Sequence, residues 1–177
     1  MLLRIVAFAT LFALGEAGCG FPNGTDKALN WWQGSATANV KFMGVKTQDA
    51  NGNPEYPISL KAPLYIGLHV DNEQGEMTAG SLLMTITLSE YGNLFGCSWS
   101  EIPTFGLLKN MDACAHGIAC PIEKGVSDIV AKFDFTQFES IISLLKNDAR
   151  YQLQITLTDK KSNTYVNIYA QARTETQ

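Results

Sequence analysis

The stretch Tyr151-Gln-Leu-Gln-Ile-Thr-Leu-Thr-Asp159 decides the fold class. Its large apolar side chains, Tyr151, Leu153, Ile155 and Leu157, fall on every second residue with polar groups between them. A period of two sets one face of an extended chain against a core and the other in water, which no helix can do. Asp159-Lys-Lys-Ser-Asn163 then supplies turn formers, and Val166, Ile168, Ala170 and Ala172 repeat the alternation on the return. The segment reads as an antiparallel hairpin.

Working outward, the same pattern recurs. Ala36–Lys46 alternates Ala38, Val40, Phe42 and Gly44 against Asn39, Lys41 and Met43. Leu64–Asp71 and Leu82–Ser89 follow, separated by the turn Asn72-Glu-Gln-Gly75, and Asp49-Ala-Asn-Gly-Asn-Pro54 is a second reversal. Gly125–Phe135 forms another strand, with Val126, Ile129 or Val130, and Phe133 turned inward. One segment departs from the rule. Thr136-Gln-Phe-Glu139 has the form of a capping box, and Phe138, Ile141, Ile142 and Leu145 follow at helical spacing. A short helix is predicted there, either covering an open end of the fold or lining an entrance for an apolar ligand. Six or seven short strands without repeats or linkers predict an all-β, antiparallel sandwich.

Met1-Leu-Leu-Arg4, the apolar run Ile5–Leu14 and Gly15-Glu-Ala17 have the form of a secretory leader cut after Ala17. The run is about ten residues, half of the roughly 20 that a bilayer span needs. Its rival reading is an N-terminal strand kept in the fold. With the leader, residues 1–17 are a signal peptide and 18–177 a single domain, secreted or lysosomal. Thirteen Lys and Arg face seventeen Asp and Glu, and removing Arg4 with Glu16 leaves the net charge at −4. No basic cluster offers a nucleic-acid surface.

All four cysteines, Cys19, Cys97, Cys114 and Cys120, lie beyond that cleavage point. In a secreted chain they imply disulfides. Cys114 and Cys120 are close in any conformation, which leaves Cys19 and Cys97 either bonded to each other or free. Zinc would need more histidines than His69 and His116 supply. Asn23-Gly24-Thr25 is an N-glycosylation acceptor.

Between the cysteines lies an apolar stretch with poor alternation: Trp99, Ile102, Pro103, Phe105, Leu107, Leu108 and Met111. So many large apolar groups around Pro and Gly in a loop predict a greasy contact. Trp99, Ile102, Phe105, Leu107 and Leu108 are read as a mobile rim that meets a membrane. Phe138 and Ile141 close over the mouth, and Phe133 joins them as a lipid-binding residue. No Gly-x-Ser-x-Gly is present, His69 alternates with Leu68 and Val70 as a surface histidine, and nothing orients His116 as a base. The reading is therefore a binding protein without catalytic residues, cofactor or metal, and a monomer. Its rival is an extracellular recognition module for a microbial glycolipid or a protein, like an immune co-receptor or an allergen.

Cys114-x5-Cys120-Pro121-Ile122-Glu123-Lys124-Gly125, followed by the hairpin and Tyr165-Val-Asn-Ile168, resembles the ML (lipid-recognition) domain family. Cys97 with Glu101-Ile102-Pro103 is most similar to its ganglioside activator branch. The resemblance covers about Phe95–Ala172. It implies an immunoglobulin-like sandwich with an apolar cavity between its sheets. It also implies a glycolipid, phospholipid or sterol as ligand and presentation to a membrane or a lysosomal hydrolase. The family joins its first cysteine to one on the final strand, and this chain has none near Tyr165 or Val166.

Overall fold

The computed structural model describes residues 18–93 and 96–176. The expected leader, residues 1–17, lies outside the described residues. Along the chain run β1 (Asn30–Ala36), β2 (Val40–Gln48), β3 (Ile58–Ser59), β4 (Leu64–Asn72) and β5 (Leu82–Asn93). They are followed by β6 (Gly96–Glu101), β7 (Met111–Asp112), β8 (Gly125–Phe133), the helix α1 (Glu139–Ile142), β9 (Ala149–Asp159) and β10 (Thr164–Glu175). The larger sheet has the order β1-β10-β9-β5-β6, with β3 beside β10 and β7 beside β5. The smaller sheet is β2-β4-β8. Among the described residues, every pairing except the two-residue parallel contact of β3 is antiparallel. The result is the immunoglobulin-like sandwich that the alternation and the resemblance imply.

The deciding hairpin folds in the register its pattern requires. Leu157 faces Val166, Ile155 faces Ile168 and Leu153 faces Ala170, while β5 adds Met84, Ile86 and Leu88 to the same three rows. One face is then a continuous apolar surface, and a slip of one residue would turn all of it into water. The turn is closed by the buried Asp159, whose carboxylate accepts from the Lys161 and Ser162 backbone N–H groups and the Ser162 hydroxyl. Burial pushes that carboxyl up, but these hydrogen bonds outweigh it and hold the pKa below its ordinary value.

Four expectations are corrected. The strand expected at Ala36–Lys46 runs from Val40 to Gln48 and bulges between Phe42 and Gly44, which resets its alternation. On β8, Val126 and Val130 are exposed, and the inward residues are Ile129, Ala131 and the half-buried Phe133. The expected short helix is present, as a 3-10 turn, Phe135–Phe138, leading into a single α turn, but the capping box is not, because the N-cap is Phe138, without a side-chain cap. The strand count is higher than six or seven. β1 is missing from the sequence reading because Gln33 faces inward, donating to Val40 O at 2.9 Å and accepting from Phe42 N at 2.8 Å.

Cys19 is bonded to Cys97 and Cys114 to Cys120, with Cα–Cα distances of 5.4 and 5.6 Å. The first bond ties the N-terminal segment to β6 as a strap over the outer face of the larger sheet. Along it the Phe21 ring lies 4.3 Å from the Arg150 guanidinium and 5.3 Å from that of Arg173. Next to the strap, which contacts the buried Gln171, the outer face carries cross-strand rows of Asn30, Gln171 and Gln152, then Trp32, Tyr169, Gln154 and Thr87, then Asn167, Thr156 and Thr85.

Candidate functional site

Inward side chains of the two sheets meet tightly at one end of the sandwich and part at the other. At the tight end Val40, Phe42, Val70, Met77 and Leu82 leave a void of about 20 Å³. At the other end lies a cavity of about 160 Å³. The larger sheet contributes Ile86 and Leu88 from β5, Leu153 and Ile155 from β9, and Ile168, Ala170 and Ala172 from β10. The smaller sheet contributes Val45, Thr47, Leu64, Ile66, Leu68 and Phe133. Between them, Phe135, Phe138, Ile141 and Ile142 form a wedge that stands where a third layer of core would otherwise close. The chain from β8 to β9 must cross this end, and its apolar spacing turns large side chains inward as it does so.

Among the described residues, no Asp, Glu, Lys, Arg or His lines the cavity. Its polar side chains are Thr47, Tyr151 and Thr174, and the first two are already used. The Thr47 hydroxyl donates to Glu55 O at 2.6 Å. The Tyr151 hydroxyl accepts from Lys146 N–H at 2.6 Å and donates to Lys146 O at 3.2 Å. Burial pushes the Tyr151 pKa up to about 12, so the phenol stays neutral. What such a chamber offers a ligand is removal of its apolar surface from water. Leu60, Phe135 and Ile142 are shared with an adjoining concavity that includes Glu139, Ser140 and Ser143, which places the mouth beside α1.

Of the residues singled out from sequence, Leu108, Phe133, Phe138 and Ile141 line this cavity, whereas Trp99, Ile102, Phe105 and Leu107 do not. Trp99 packs on Tyr91 with ring centroids 5.0 Å apart. Ile102 packs half-buried on the main core. Phe105 is 83% exposed and Leu107 51%, on consecutive tight turns where Phe105 itself has a φ of 51°. Leu108 corrects the rim expectation. It is only 6% exposed, because its carbonyl accepts Ile86 N–H at 2.9 Å and carries the side chain between the sheets. The cysteine loop contributes Ile118 to the same wall. Its Gly117 has a φ of 113°, and a Cβ there would lie 2.1 Å from Lys132 O, so glycine is required.

Neither histidine lines the cavity. His69 Nδ1 lies 2.9 Å from Asp128 on the exposed face of the smaller sheet, and His116 Nδ1 2.9 Å from Asp112 O. The most useful wall residues missing from the sequence reading as a site are Leu60, Leu153 and Ile155. By type they cannot be told from ordinary core, and only the separation of the sheets marks them.

No family model matches the chain, and neither does any curated protein. Among solved structures, it is similar to a Niemann-Pick type C2 protein from the Japanese carpenter ant, at 11% identity and a TM-score of 0.45 over 82% of this chain and 99% of that one. It is also similar to the C-terminal domain of wzt, at 10% identity and a TM-score of 0.38 over 87% of this chain and 82% of that one.

Proposed function

We propose that this chain is a non-catalytic lipid-binding and transfer protein of the secretory or lysosomal lumen. In this reading residues 1–17 are a cleaved leader, and the domain 18–177 acts as a monomer. It holds the apolar tail of a glycolipid, phospholipid or sterol between its sheets and presents it to a membrane or a hydrolase, as a ganglioside activator does. The observation that carries the reading is the uncharged cavity with its mouth at α1. Two disulfides fit an oxidising compartment.

Each buried methylene contributes about 0.8 kcal/mol, so a sixteen-carbon chain gains up to roughly 13 before ordering costs. The volume sets a condition on this. About 160 Å³ is below the roughly 300–1,000 Å³ that encloses a whole drug-sized molecule. Either a slim chain enters end-on or the sheets and α1 move apart as it fills. Phe105 and Leu107, with Leu144 just beyond α1, are exposed apolar groups suited to touching a bilayer while this happens.

The test is transfer of labelled lipid between vesicles by delipidated protein, with mass spectrometry of lipid co-purified from native protein. Phe105→Ser should slow transfer with stability changed by less than about 0.5 kcal/mol. Leu108→Ser should lower stability by about 2 kcal/mol or more, because Leu108 is wall. Absence of uptake across all three lipid classes would overturn the reading.

A further inference from the structure

The outer faces of the two sheets differ in a way the cavity does not explain. The smaller sheet presents Lys41, Lys46, His69, Asp128 and Lys132 beside the exposed Met43, Val126 and Val130, a face that mixes charge with apolar side chains. The larger sheet presents amides, hydroxyls and aromatic rings in its three central rows across β1, β10, β9 and β5, with no charge among them. Trp32 is 38% exposed and lies flat on Tyr169, with centroids 5.0 Å apart and planes within 4°. Gly34 makes this possible, since a Cβ there would stand 2.6 Å from the Tyr169 ring. Beside the stack, Asn167 accepts from the Thr156 hydroxyl at 2.8 Å, and Gln171 donates to Gln152 at 2.7 Å.

We propose that this face is the bed of a glycan the chain itself carries on Asn23. The proposal rests on the secretory reading above, though not on lipid binding. Asn23 is exposed on the strap, and its backbone has a φ of 54°. Its amide nitrogen lies 2.7 Å from Gln171 Oε1, and the Asn30 amide reaches the same oxygen at 2.9 Å. The attachment atom therefore stands on the row next to the Trp32–Tyr169 stack, about 7 Å away along the strands. A sugar ring matches what it finds there. Its C–H faces lie against flat aromatic rings, and its hydroxyls exchange hydrogen bonds with neutral amides and hydroxyls without desolvating any ion. Phe21 is not a competing platform, because guanidinium groups already flank its ring.

The modification forms a bond from Asn23 Nδ2 to the anomeric carbon of a lipid-diphosphate-linked oligosaccharide. It breaks that carbon's bond to the diphosphate oxygen, and one amide proton leaves with the released diphosphate. The second amide hydrogen remains available to Gln171. Thr25, which completes the acceptor triplet, is fully buried with its hydroxyl donating to Pro22 O at 2.6 Å. The transfer must therefore precede docking of the strap, as it does when a chain is modified while entering the secretory pathway.

The experiment compares secreted wild-type protein with Asn23→Gln in backgrounds carrying Trp32 or Trp32→Ala, with peptide mass mapping and hydroxyl-radical footprinting. The Asn23 peptide should carry a glycan. Its removal by Asn23→Gln should lower Tm by about 2–4 °C with Trp32 present and by less than about 1 °C with Trp32→Ala. Footprinting of the two Trp32-bearing proteins, which does not require the alanine variant to fold, should show Trp32 and Tyr169 oxidised several-fold more slowly when Asn23 is modified. An unmodified Asn23 in secreted protein overturns the proposal, and so does equal oxidation with and without the glycan. Protection of Trp32 in the glycosylated protein by an added neutral oligosaccharide also overturns it, since the face would then be open to foreign sugar. Lipid transfer should be unchanged by Asn23→Gln, so the two readings fail separately.

Discussion

The two ends of the sandwich are built from the same alternation and the same residue types, yet one is solid and the other hollow. At the solid end the fully buried Asn72 holds the β4–β5 turn to the segment leading into β8. Its amide nitrogen lies 2.7, 3.0 and 3.3 Å from the carbonyls of Gly75, Glu123 and Ile122. Met77 bridges to Ile122 beside it. At the hollow end a 3-10 turn and α1 cross the gap, and their apolar side chains wedge the sheets instead of stapling them. A sandwich therefore closes where a polar group ties its loops together and stays open where an amphipathic turn stands between its layers. Packing depends on what crosses the end, and less on how apolar the strands are.

The largest expected contrast comes from truncating one leucine at each end. Leu82 is 1% exposed in the solid end, so Leu82→Ala should cost about 3–5 kcal/mol in denaturant unfolding. Leu153→Ala, which truncates a side chain only partly buried on the cavity wall, should cost about 2 kcal/mol. Equal losses would mean that the hollow end is as well packed as the solid one. Next, Asn72→Ala should cost about 2–3 kcal/mol, because it strips buried carbonyls of their donor. Lipid uptake by the folded fraction should stay normal. Ala170→Phe reverses the logic by filling the cavity from β10. It should abolish lipid uptake while Tm moves by only a few degrees, and retained uptake would place the ligand elsewhere.

The smallest effect concerns pH. At the solid end the Gly80 N–H, 2.8 Å away, holds Asp112 below its ordinary pKa of 3.8, and at the hollow end the hydrogen bond from Arg173 does the same for Asp148. A carboxylate with a depressed folded-state pKa adds stability that is complete above the unfolded value and lost as pH falls through the folded one. Tm should therefore stay nearly level from pH 7 to about 5 and fall only below about 4. A steep drop between pH 6 and 5 would show that other groups dominate.

Much of the fold was legible because its strands alternate cleanly. Tyr151–Leu157 and Val166–Ala172 gave the central hairpin, and Leu82–Leu88 its neighbour. β1 was hidden because Trp31 and Trp32 point to opposite faces while the inward Gln33 serves the backbone of β2. The site was half legible. Phe133, Phe138 and Ile141 stood out as large apolar groups around a break in the strand pattern. Phe105 and Leu108 looked alike in sequence, yet one faces water and the other the cavity, because the β6–β7 connection returns to β5 through the Ile86–Leu108 hydrogen bond. A contact between residues 22 positions apart leaves no periodic trace.

The most direct test of the cavity as a lipid site is photocrosslinking with a lipid that carries a diazirine near the end of its acyl chain. Delipidated protein would be loaded with it from vesicles, irradiated and mapped by peptide mass spectrometry. Label on Phe133, Phe138, Ile141, Leu153 or Ile155 is the expected result, since these side chains surround the space between the sheets. Label confined to Phe105, Leu107 and Leu144 would contradict it, because the chain would then rest on the surface and the cavity would have no part in binding.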